Sequence, residues 1–253
     1  MGILKDKVAL VTGSSRGIGA AVAKIFAREG AKVAIHGRDD AALSRVAKEI
    51  ECTGGRVTLV VADVTKFAQI EAARRQIERE LGPVELLVAN AGGSFTSPGP
   101  IEDISEESWR ASVDGNLTAT FFTIKSFLPG MKERRAGNII TFSSAAGRRP
   151  HPRSPIAYSV AKAGIELLTQ DVAAQAGPYH IRVNCIAPET ILTERNEQRI
   201  PDEHRTALVE AHPIKRLGTP DDVANAALFL ASENSSWITG VILDVAGGSV
   251  MVR

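Results

Sequence analysis

The stretch "KVALVTGSSRGIGAAVAKIFAREG", residues 7–30, decides the fold of this chain. It begins with a short apolar, β-branched run, which is typical of a buried strand. After a glycine-rich turn, apolar residues recur at the spacing of one helical stripe: Ile18, Val22, Ile25 and Phe26. Gly30 follows in the position where a left-handed residue commonly ends a helix. The stretch therefore predicts a strand, a tight turn and a helix.

The same alternation continues along the chain. Further apolar runs, each predicted as a buried strand, occupy residues 31–37, 56–63, 84–90, 137–144, 180–188 and 240–248. Helices are predicted from about Asp40 to Ile50, over residues 66–81 with Thr65 as N-cap, and over 219–232 with Thr219 as N-cap and Pro220 in first position. Strands that are apolar throughout and separated by helices indicate a parallel sheet covered on both faces. We predict one α/β domain over residues 1–253, a doubly wound Rossmann-type fold with about seven parallel strands and helices on both faces.

Composition excludes several classes of function. The formal net charge is +1 over 253 residues, so no general attraction to nucleic acid or anionic membrane is expected. Cys52 and Cys185 are the only cysteines, which is too few for a disulfide framework or a thiolate metal cluster, and the histidines are scattered. The early charges and short apolar run of "MGILKDKVALVTG" fit neither a signal peptide nor a membrane span. We expect a soluble, cytoplasmic protein without a metal.

The glycine-rich turn "TGSSRGIG", Thr12–Gly19, indicates a phosphate site. Glycines let a backbone approach a pyrophosphate, and the following helix N-terminus offers free N–H groups and a partial positive charge. Its place between strand and helix is the context that supports dinucleotide binding, although the spacing differs from G-x-G-x-x-G. The alternative is a tight strand-to-helix connection without a ligand.

The end of the second strand bears on which dinucleotide would bind. An acidic residue there usually binds the ribose diol of NAD, but the sequence has Gly37 and Arg38. A guanidinium binds phosphate oxygens in pairs, so Arg38 favours the 2′-phosphate of NADP(H), with Arg16 as a second contact. Asp39 and Asp40 leave NAD(H) as the alternative, although Asp40 is better explained as the cap or the beginning of the next helix.

The segment "YSVAK" places Tyr158 and Lys162 one helical turn apart, beside an apolar stripe. A tyrosine has a pKa near 10, so acid–base work near neutral pH needs a downward shift of about three units, roughly 4 kcal/mol. We expect the Lys162 ammonium to lower the pKa of Tyr158 by Coulomb attraction. Tyr158 is then the acid or base of a proton transfer.

Several ordered motifs carry a resemblance to a known family. They are "TGSSRGIG", Asp63-Val64, "NAG" at residues 90–92, Asn116, Ser143-Ser144 before "AAG", "YSVAK", and "RVNCIAP" followed by Thr193. Over essentially its whole length the chain resembles the short-chain dehydrogenase/reductases, most of all those that reduce 3-oxoacyl thioesters. The resemblance implies hydride transfer between a nicotinamide and a carbonyl or alcohol, and a homotetramer.

The resemblance also implies roles for individual residues. The catalytic set would be Asn116, Ser144, Tyr158 and Lys162, with Ser143 as the alternative to Ser144. Asp63 would contact the adenine, Asn90 the adenosine side, and Ile191 and Thr193 the carboxamide. The full set of expected cofactor-binding residues is Gly13, Ser15, Arg16, Gly17, Ile18, Gly19, Arg38, Asp63, Val64, Asn90, Ala91, Gly92, Tyr158, Lys162, Pro188, Ile191 and Thr193.

Two positions depart from the family pattern. Glu189 follows Pro188 where the family usually has glycine, and it either faces solvent or favours a positively charged nicotinamide. Ala246 replaces the usual aspartate before the final glycine pair, a change expected to affect packing or a subunit interface.

The substrate is bounded only loosely by the sequence. Contacts are expected from residues 92–105, where Phe95 could line an apolar pocket, from 147–158, where Ile156 could do the same, and from the segment after Pro188. A basic cluster, Arg148, Arg149, His151 and Arg153, is either a site for an anionic or carrier-linked substrate or a solvated loop. The main hypothesis is an NADP(H)-dependent ketoreductase acting on a 3-oxoacyl thioester or small ketone. The alternatives are an NAD-dependent alcohol dehydrogenase of the same family and a non-catalytic NADP(H)-sensing regulator.

Overall fold

A computed structural model describes residues 2–150 and 154–251. Its described residues form one sheet of seven parallel strands in the order β3-β2-β1-β4-β5-β6-β7. The strands are β1 (Val8–Val11), β2 (Lys32–Gly37), β3 (Arg56–Val61), β4 (Leu86–Ala89), β5 (Gly137–Phe142), β6 (Ile181–Pro188) and β7 (Ile242–Val245). The predicted parallel α/β sheet is therefore confirmed, and strand order reverses between β1 and β4.

Helices connect the strands and cover both faces of the sheet. They are α1 (Gly17–Arg28), α2 (Asp40–Cys52), α3 (Phe67–Glu80), α4 (Glu106–Val113), α5 (Ala119–Arg134), α6 (Ala145–Arg148), α7 (Ile156–Ala176), α8 (Glu194–Arg199), α9 (Asp202–Ala211) and α10 (Pro220–Ala231). A π-helical turn, Asp114–Thr118, joins α4 to α5.

Each face of the sheet has its own apolar core. On one face, α1, α2 and α10 bury side chains such as Phe26, Leu43 and Val223 against the strands. On the other, α3, α5 and α7 bury residues that include Ile77 and Met131. The strands alternate their side chains between these two cores, which explains why they are apolar throughout.

The helix ends follow the sequence signals with one exception. As predicted, Gly30 is left-handed, with φ +89°, and Thr219 is the N-cap of α10 with Pro220 in first position. Thr219 also forms a capping box with Asp222. The prediction of Thr65 as an N-cap is wrong. Its hydroxyl instead hydrogen-bonds Asp63 Oδ1 at 2.8 Å, and α3 begins after Lys66 without a side-chain cap.

Across the described ranges, no helix combines the length and apolar character needed to cross a bilayer.

Candidate active site

The predicted site residues converge at the carboxyl edge of the sheet, around the point where strand order reverses. In register, Val11 at the end of β1 pairs with Ile35 of β2 and with Val88 of β4, so the loops that follow these strands leave the sheet at one level. An open α/β sheet forms its ligand crevice at such an edge.

The glycine turn is joined to the loop after β4 by close backbone contacts. Gly13 has φ +66°, and a Cβ there would lie 2.8 Å from Ala91 Cα. The Asn90 amide donates hydrogen bonds to the carbonyls of Thr12 and Gly13, at 3.0 and 3.2 Å. Asn90 thus holds the turn directly, in addition to any contact with a ligand.

The start of α1 faces the segment that follows β6. Gly17 has φ +55°, and a Cβ there would lie 3.2 Å from the Thr193 methyl group. Thr193 caps α8 by accepting a hydrogen bond from the Asn196 N–H. These two predicted cofactor residues therefore stand on opposite walls of one narrow cleft.

The end of β2 separates Arg38 from its acidic neighbours. Arg38 is exposed, whereas Asp39 caps α2 by accepting the Ala42 N–H at 3.0 Å, and Asp40 is the first residue of that helix. Partial burial raises the pKa of Asp63, but hydrogen bonds from Thr65 and the positive charge of Arg38 lower it overall. Arg38 and Asp63 therefore face one region, where the adenosine end of a dinucleotide would bind.

His36 is a site residue that the sequence reasoning missed. The side chain is 2% exposed, and its Nδ1 accepts the Gly13 N–H at 3.4 Å. Within the described part of the chain, Nε2 has no hydrogen-bond partner. Burial lowers the pKa of His36 to about 4, so the imidazole is neutral at pH 7 and its Nδ1 can accept the hydrogen bond from Gly13 in the glycine turn. A histidine inside an apolar strand gave no signal of this contact.

Tyr158, near the start of α7, faces Ser144, the N-cap of α6. Ser144 Oγ accepts the Ala146 N–H at 3.2 Å, and the Ser144 hydroxyl lies close enough to the Tyr158 phenol to lower the pKa of that phenol. Ser143, the alternative, instead donates to Glu166 Oε1 at 2.6 Å and to the Lys162 carbonyl at 3.0 Å. The geometry therefore pairs Ser144, and not Ser143, with Tyr158.

The electrostatics of the tyrosine–lysine pair differ from the expectation. Burial raises the pKa of Tyr158, the hydrogen bond from Ser144 lowers it, and the charge of Glu189 raises it further. Lys162 Nζ lies 5.6 Å from the centre of the tyrosine ring and donates to the Phe142 carbonyl at 2.8 Å. Burial lowers the pKa of Lys162 to about 8. The expected downward shift of the Tyr158 pKa is thus wrong for the protein by itself, because desolvation and the charge of Glu189 outweigh the lowering by Ser144.

Asn116 lies in the π-helical turn, and its side chain bridges to the loop after β4. Its amide nitrogen donates to the carbonyls of Gly93 and Ser112, at 3.0 and 2.8 Å, while Oδ1 accepts the Gly93 N–H at 3.0 Å. A Cβ on Gly92, whose φ is +154°, would lie 2.5 Å from the same oxygen. Asn116 therefore fixes the loop "NAGG", and π-helical turns are frequent at functional sites.

The two positions that depart from the family pattern directly follow neighbouring strands: Glu189 follows β6 and Ala246 follows β7. The Glu189 N–H donates to the Val245 carbonyl at 3.2 Å, and Glu189 and Ala246 line one cavity of about 470 Å³ beyond β6 and β7. Glu189 is half-buried, and its charge acts on Tyr158. It therefore does not merely face solvent.

A second residue missed from the sequence is Arg195, on the exposed helix α8. Its guanidinium donates to the Ser94 carbonyl at 3.4 Å, across the cleft from the glycine turn. Burial, together with the charges of Arg199 and Arg16, lowers the pKa of Arg195. The positive charges of Arg16 and Arg195 therefore act on each other across the cleft, although the sequence of α8 is typical of an ordinary polar surface helix.

Arg148 is neither solvated nor open to an anion. Its guanidinium donates to Asp244 Oδ1 and to Glu166 Oε2, both at 2.9 Å, and the side chain is 17% exposed. Arg149 is exposed, while His151 and Arg153 lie outside the described residues. The interpretation of Arg148 as part of a substrate-binding basic cluster is wrong, because its guanidinium is already hydrogen-bonded to the carboxylates of Asp244 and Glu166.

The site fits a dinucleotide. At Gly13, Gly17 and Gly92, which have positive φ, no side chain projects from the backbone into the cleft. The N-terminus of α1 has no side-chain cap and presents unpaired N–H groups there. Among residues 2–150 and 154–251, His, Cys, Asp and Glu side chains form no cluster able to hold a metal ion.

Comparisons with known proteins agree with this arrangement. Residues 13–249 match the family described as enoyl-(acyl carrier protein) reductase. The chain is 37% identical over 247 residues to a 3-oxoacyl-acyl-carrier-protein reductase of Chlamydia muridarum, covering 97% of this chain and 98% of the relative. It is 36% identical to glucose 1-dehydrogenase 2 of Bacillus subtilis, covering 98% of this chain and 96% of the relative.

A solved structure shows the same fold. The 3-oxoacyl-acyl-carrier-protein reductase of Brucella melitensis, crystallised with bound NAD, superposes with a TM-score of 0.91 at 37% identity. The match covers 99% of this chain and 93% of that structure.

Proposed function

Because the chain belongs to the short-chain dehydrogenase/reductase family, an oxidoreductase family that uses a nicotinamide cofactor, we propose that it is an NADP(H)-dependent ketoreductase. It transfers a hydride between NADP(H) and a carbonyl or secondary alcohol, and one domain carries both the cofactor site and the catalytic residues. The observation that carries the proposal is the meeting of Ser144, Tyr158 and Lys162 at the end of β5, beside a glycine-lined dinucleotide cleft.

The cofactor would lie along the carboxyl edge of β1, β2, β4 and β6. Its pyrophosphate would meet the N-terminus of α1, its adenine Asp63, and its nicotinamide the segment from Pro188 to Thr193. NADP(H) is proposed because exposed Arg38 follows β2 directly, whereas Asp39 is engaged as a helix cap. When bound, the cofactor supplies a hydride to the substrate carbon or accepts one from it.

Ser144 and Tyr158 act on the substrate oxygen. In reduction, negative charge grows on that oxygen as the carbon gains its hydrogen. The Ser144 hydroxyl donates a hydrogen bond to the oxygen, and Tyr158 transfers its phenolic proton there, which completes the alcohol. The raised pKa of Tyr158 keeps the phenol protonated at neutral pH, and this is the form that reduction requires.

Lys162 and Asn116 return the proton to Tyr158. Lys162 is the buried amine beside the tyrosine ring, and a pKa of about 8 lets it give up a proton near neutral pH. Asn116 orients a water that connects this amine to solvent. The π-helical turn supports that role, because it opens the regular backbone hydrogen-bond pattern at this point.

The substrate is proposed to be a 3-oxoacyl thioester or a small ketone, which the Chlamydia relative supports. An NAD-dependent alcohol dehydrogenase is the second candidate. It is favoured by the NAD bound to the Brucella structure and by the identity with glucose 1-dehydrogenase 2.

We further propose a cytoplasmic homotetramer. Apolar side chains on α4, α5 and α7 are exposed and suit a subunit interface, namely Trp109, Phe121, Val160 and Leu167. The free thiols of Cys52 and Cys185 suit a reducing compartment.

The deciding experiment follows NADPH and NADH absorbance with 3-oxoacyl thioesters, ketones and sugars, in the wild type and in Tyr158→Phe. The expected result is turnover by the wild type and a loss of kcat of about 10³-fold in the variant, with the Kd for NADPH preserved. Near-normal turnover by Tyr158→Phe would remove the tyrosine from catalysis. NADPH binding by a wild type without turnover on any substrate would instead favour the sensing regulator.

A further inference from the structure

Arg148 is the centre of a three-way ionic contact directly after the turn that carries Ser144. It donates to both oxygens of Asp244, at 2.9 and 3.3 Å, and to Glu166 Oε2 at 2.9 Å. The three side chains are 13–20% exposed. Paired guanidinium–carboxylate contacts with this geometry are among the strongest and most directional polar contacts in proteins.

The contact ties together the elements that position the reacting groups. Arg148 is the last residue of α6, which Ser144 caps. Glu166 lies one turn beyond Lys162 on α7, and its other oxygen accepts the Ser143 hydroxyl at 2.6 Å. Asp244 belongs to β7, the edge strand. Glu166 of α7 therefore binds both ends of the turn, Ser143 and Arg148. Asp244 of β7 binds the Arg148 end as well.

An apolar contact supports the same turn. Ala145, the residue after Ser144, packs with Ala246 and Val250 beyond the end of β7. Ala246 occupies the position where the family usually has aspartate. In this chain a carboxylate stands two residues earlier, at Asp244 in β7. Asp244 accepts hydrogen bonds from Arg148, while Ala246 packs against Ala145.

We propose that Arg148 is a positioning residue for the reaction, which fixes the Ser144 turn against α7 and β7 so that the serine hydroxyl meets the Tyr158 phenol. The inference rests on the proposed reductase function. It assigns Arg148 no contact with substrate or cofactor. Catalysis depends on sub-ångström placement, and a displacement of about 1 Å costs as much as 10²-fold in rate.

The chain contains a matched control for this contact. On α3, Arg74 donates to Glu71 and Glu78 at 3.2 and 2.8 Å, and Glu71 also accepts a serine hydroxyl, that of Ser126. The pattern of one arginine, two carboxylates and one serine is the same, but it lies away from the cleft. Arg74→Met therefore reports what the loss of such a contact does to stability alone.

The first measurement is hydrogen–deuterium exchange over residues 143–150, with no cofactor added. Arg148→Met should speed exchange of this segment by about tenfold or more, because the Ala146 N–H bonds to Ser144 within it. Arg74→Met should leave the segment unchanged. Unchanged exchange in Arg148→Met would overturn the proposal whether or not the protein proves to be a reductase.

The second measurement is steady-state kinetics. Arg148→Met should lower kcat by about 10- to 100-fold with the NADPH Kd preserved, Arg148→Lys should recover part of that loss, and Arg74→Met should keep the wild-type kcat. A wild-type kcat in Arg148→Met would overturn the positioning role. So would equal losses of kcat in Arg148→Met and Arg74→Met, measured for variants with the same Tm.

A third variant covers the case in which Arg148→Met does not fold. Asp244→Asn keeps the shape of the contact and the Arg148–Glu166 pair, and it should still lower kcat severalfold and speed exchange in residues 143–150. Wild-type values for both would refute the proposal. If the wild-type protein turned over none of the substrates, the reductase function would be refuted. The exchange data would still decide whether Arg148 positions the Ser144 turn.

Discussion

Replacing Lys162 with methionine should stabilise the cofactor-free protein while abolishing its activity. Lys162 is 4% exposed, and burial lowers its pKa from 10.5 to about 8. A shift of about 2.5 units corresponds to about 3 kcal/mol by which folding disfavours the charged amine at pH 7. Methionine removes that cost, and it also removes the hydrogen bond to the Phe142 carbonyl, worth about 1.5–3 kcal/mol for a charged donor. The net stabilisation at pH 7 is therefore expected to be small, at most about 2 kcal/mol.

The pH dependence is the sharper test, because the hydrogen bond and the cost of charge burial respond differently to pH. Between pH 8 and 10.5 the unfolded lysine binds more protons than the folded one, so the contribution of Lys162 to wild-type stability rises with pH in that window. The advantage of Lys162→Met over the wild type should consequently fall by about 2 kcal/mol between pH 7 and 9.5. Measurements should stop below pH 10, since Tyr158, with its raised pKa, contributes the opposite sign above the ordinary tyrosine pKa.

The assay is urea unfolding at fixed protein concentration, without cofactor, at four pH values from 7 to 9.5. Lys48→Met, which changes an exposed lysine of α2, is the control and should show no such trend relative to the wild type. A stability difference between Lys162→Met and wild type that stays constant over this range would refute the argument that burial governs the charge of Lys162.

Two further predictions concern charges at the two ends of the cleft. Arg38→Asp should move the ratio of kcat/KM for NADPH over NADH by at least about tenfold toward NADH, because it exchanges a phosphate-binding charge for a diol-binding carboxylate; an unchanged ratio would remove Arg38 from cofactor selection. Glu189→Gln should shift the alkaline limb of kcat/KM for reduction to lower pH, because the Glu189 charge raises the pKa of Tyr158. An unmoved or oppositely moved limb would show that Glu189 does not act on Tyr158.

The architecture of the sheet and its helices could be predicted from the sequence, and the sequence also named candidate residues for the site. Strand and helix periods depend on near neighbours, so β-branched runs, apolar stripes, Gly30 and the pair Thr219-Pro220 predicted local structure that the chain then formed. Parallel strands linked by helices bring every strand end to one edge, which places the glycine turn at Gly13 beside a predicted cleft, and the resemblance to the short-chain dehydrogenase/reductases implies that Asn116 and Thr193 belong to the same cleft.

The pKa shifts and the contact partners of the charged and polar side chains became clear only from the tertiary structure. The pKa of Tyr158 rises because of burial, which a sequence spacing of four residues to Lys162 does not report. Arg148 is bound to Glu166 and Asp244, one of them 96 residues away, and His36 meets Gly13 across two strands. Desolvation and long-range pairing depend on which atoms surround a group in three dimensions, and local sequence pattern carries no record of them.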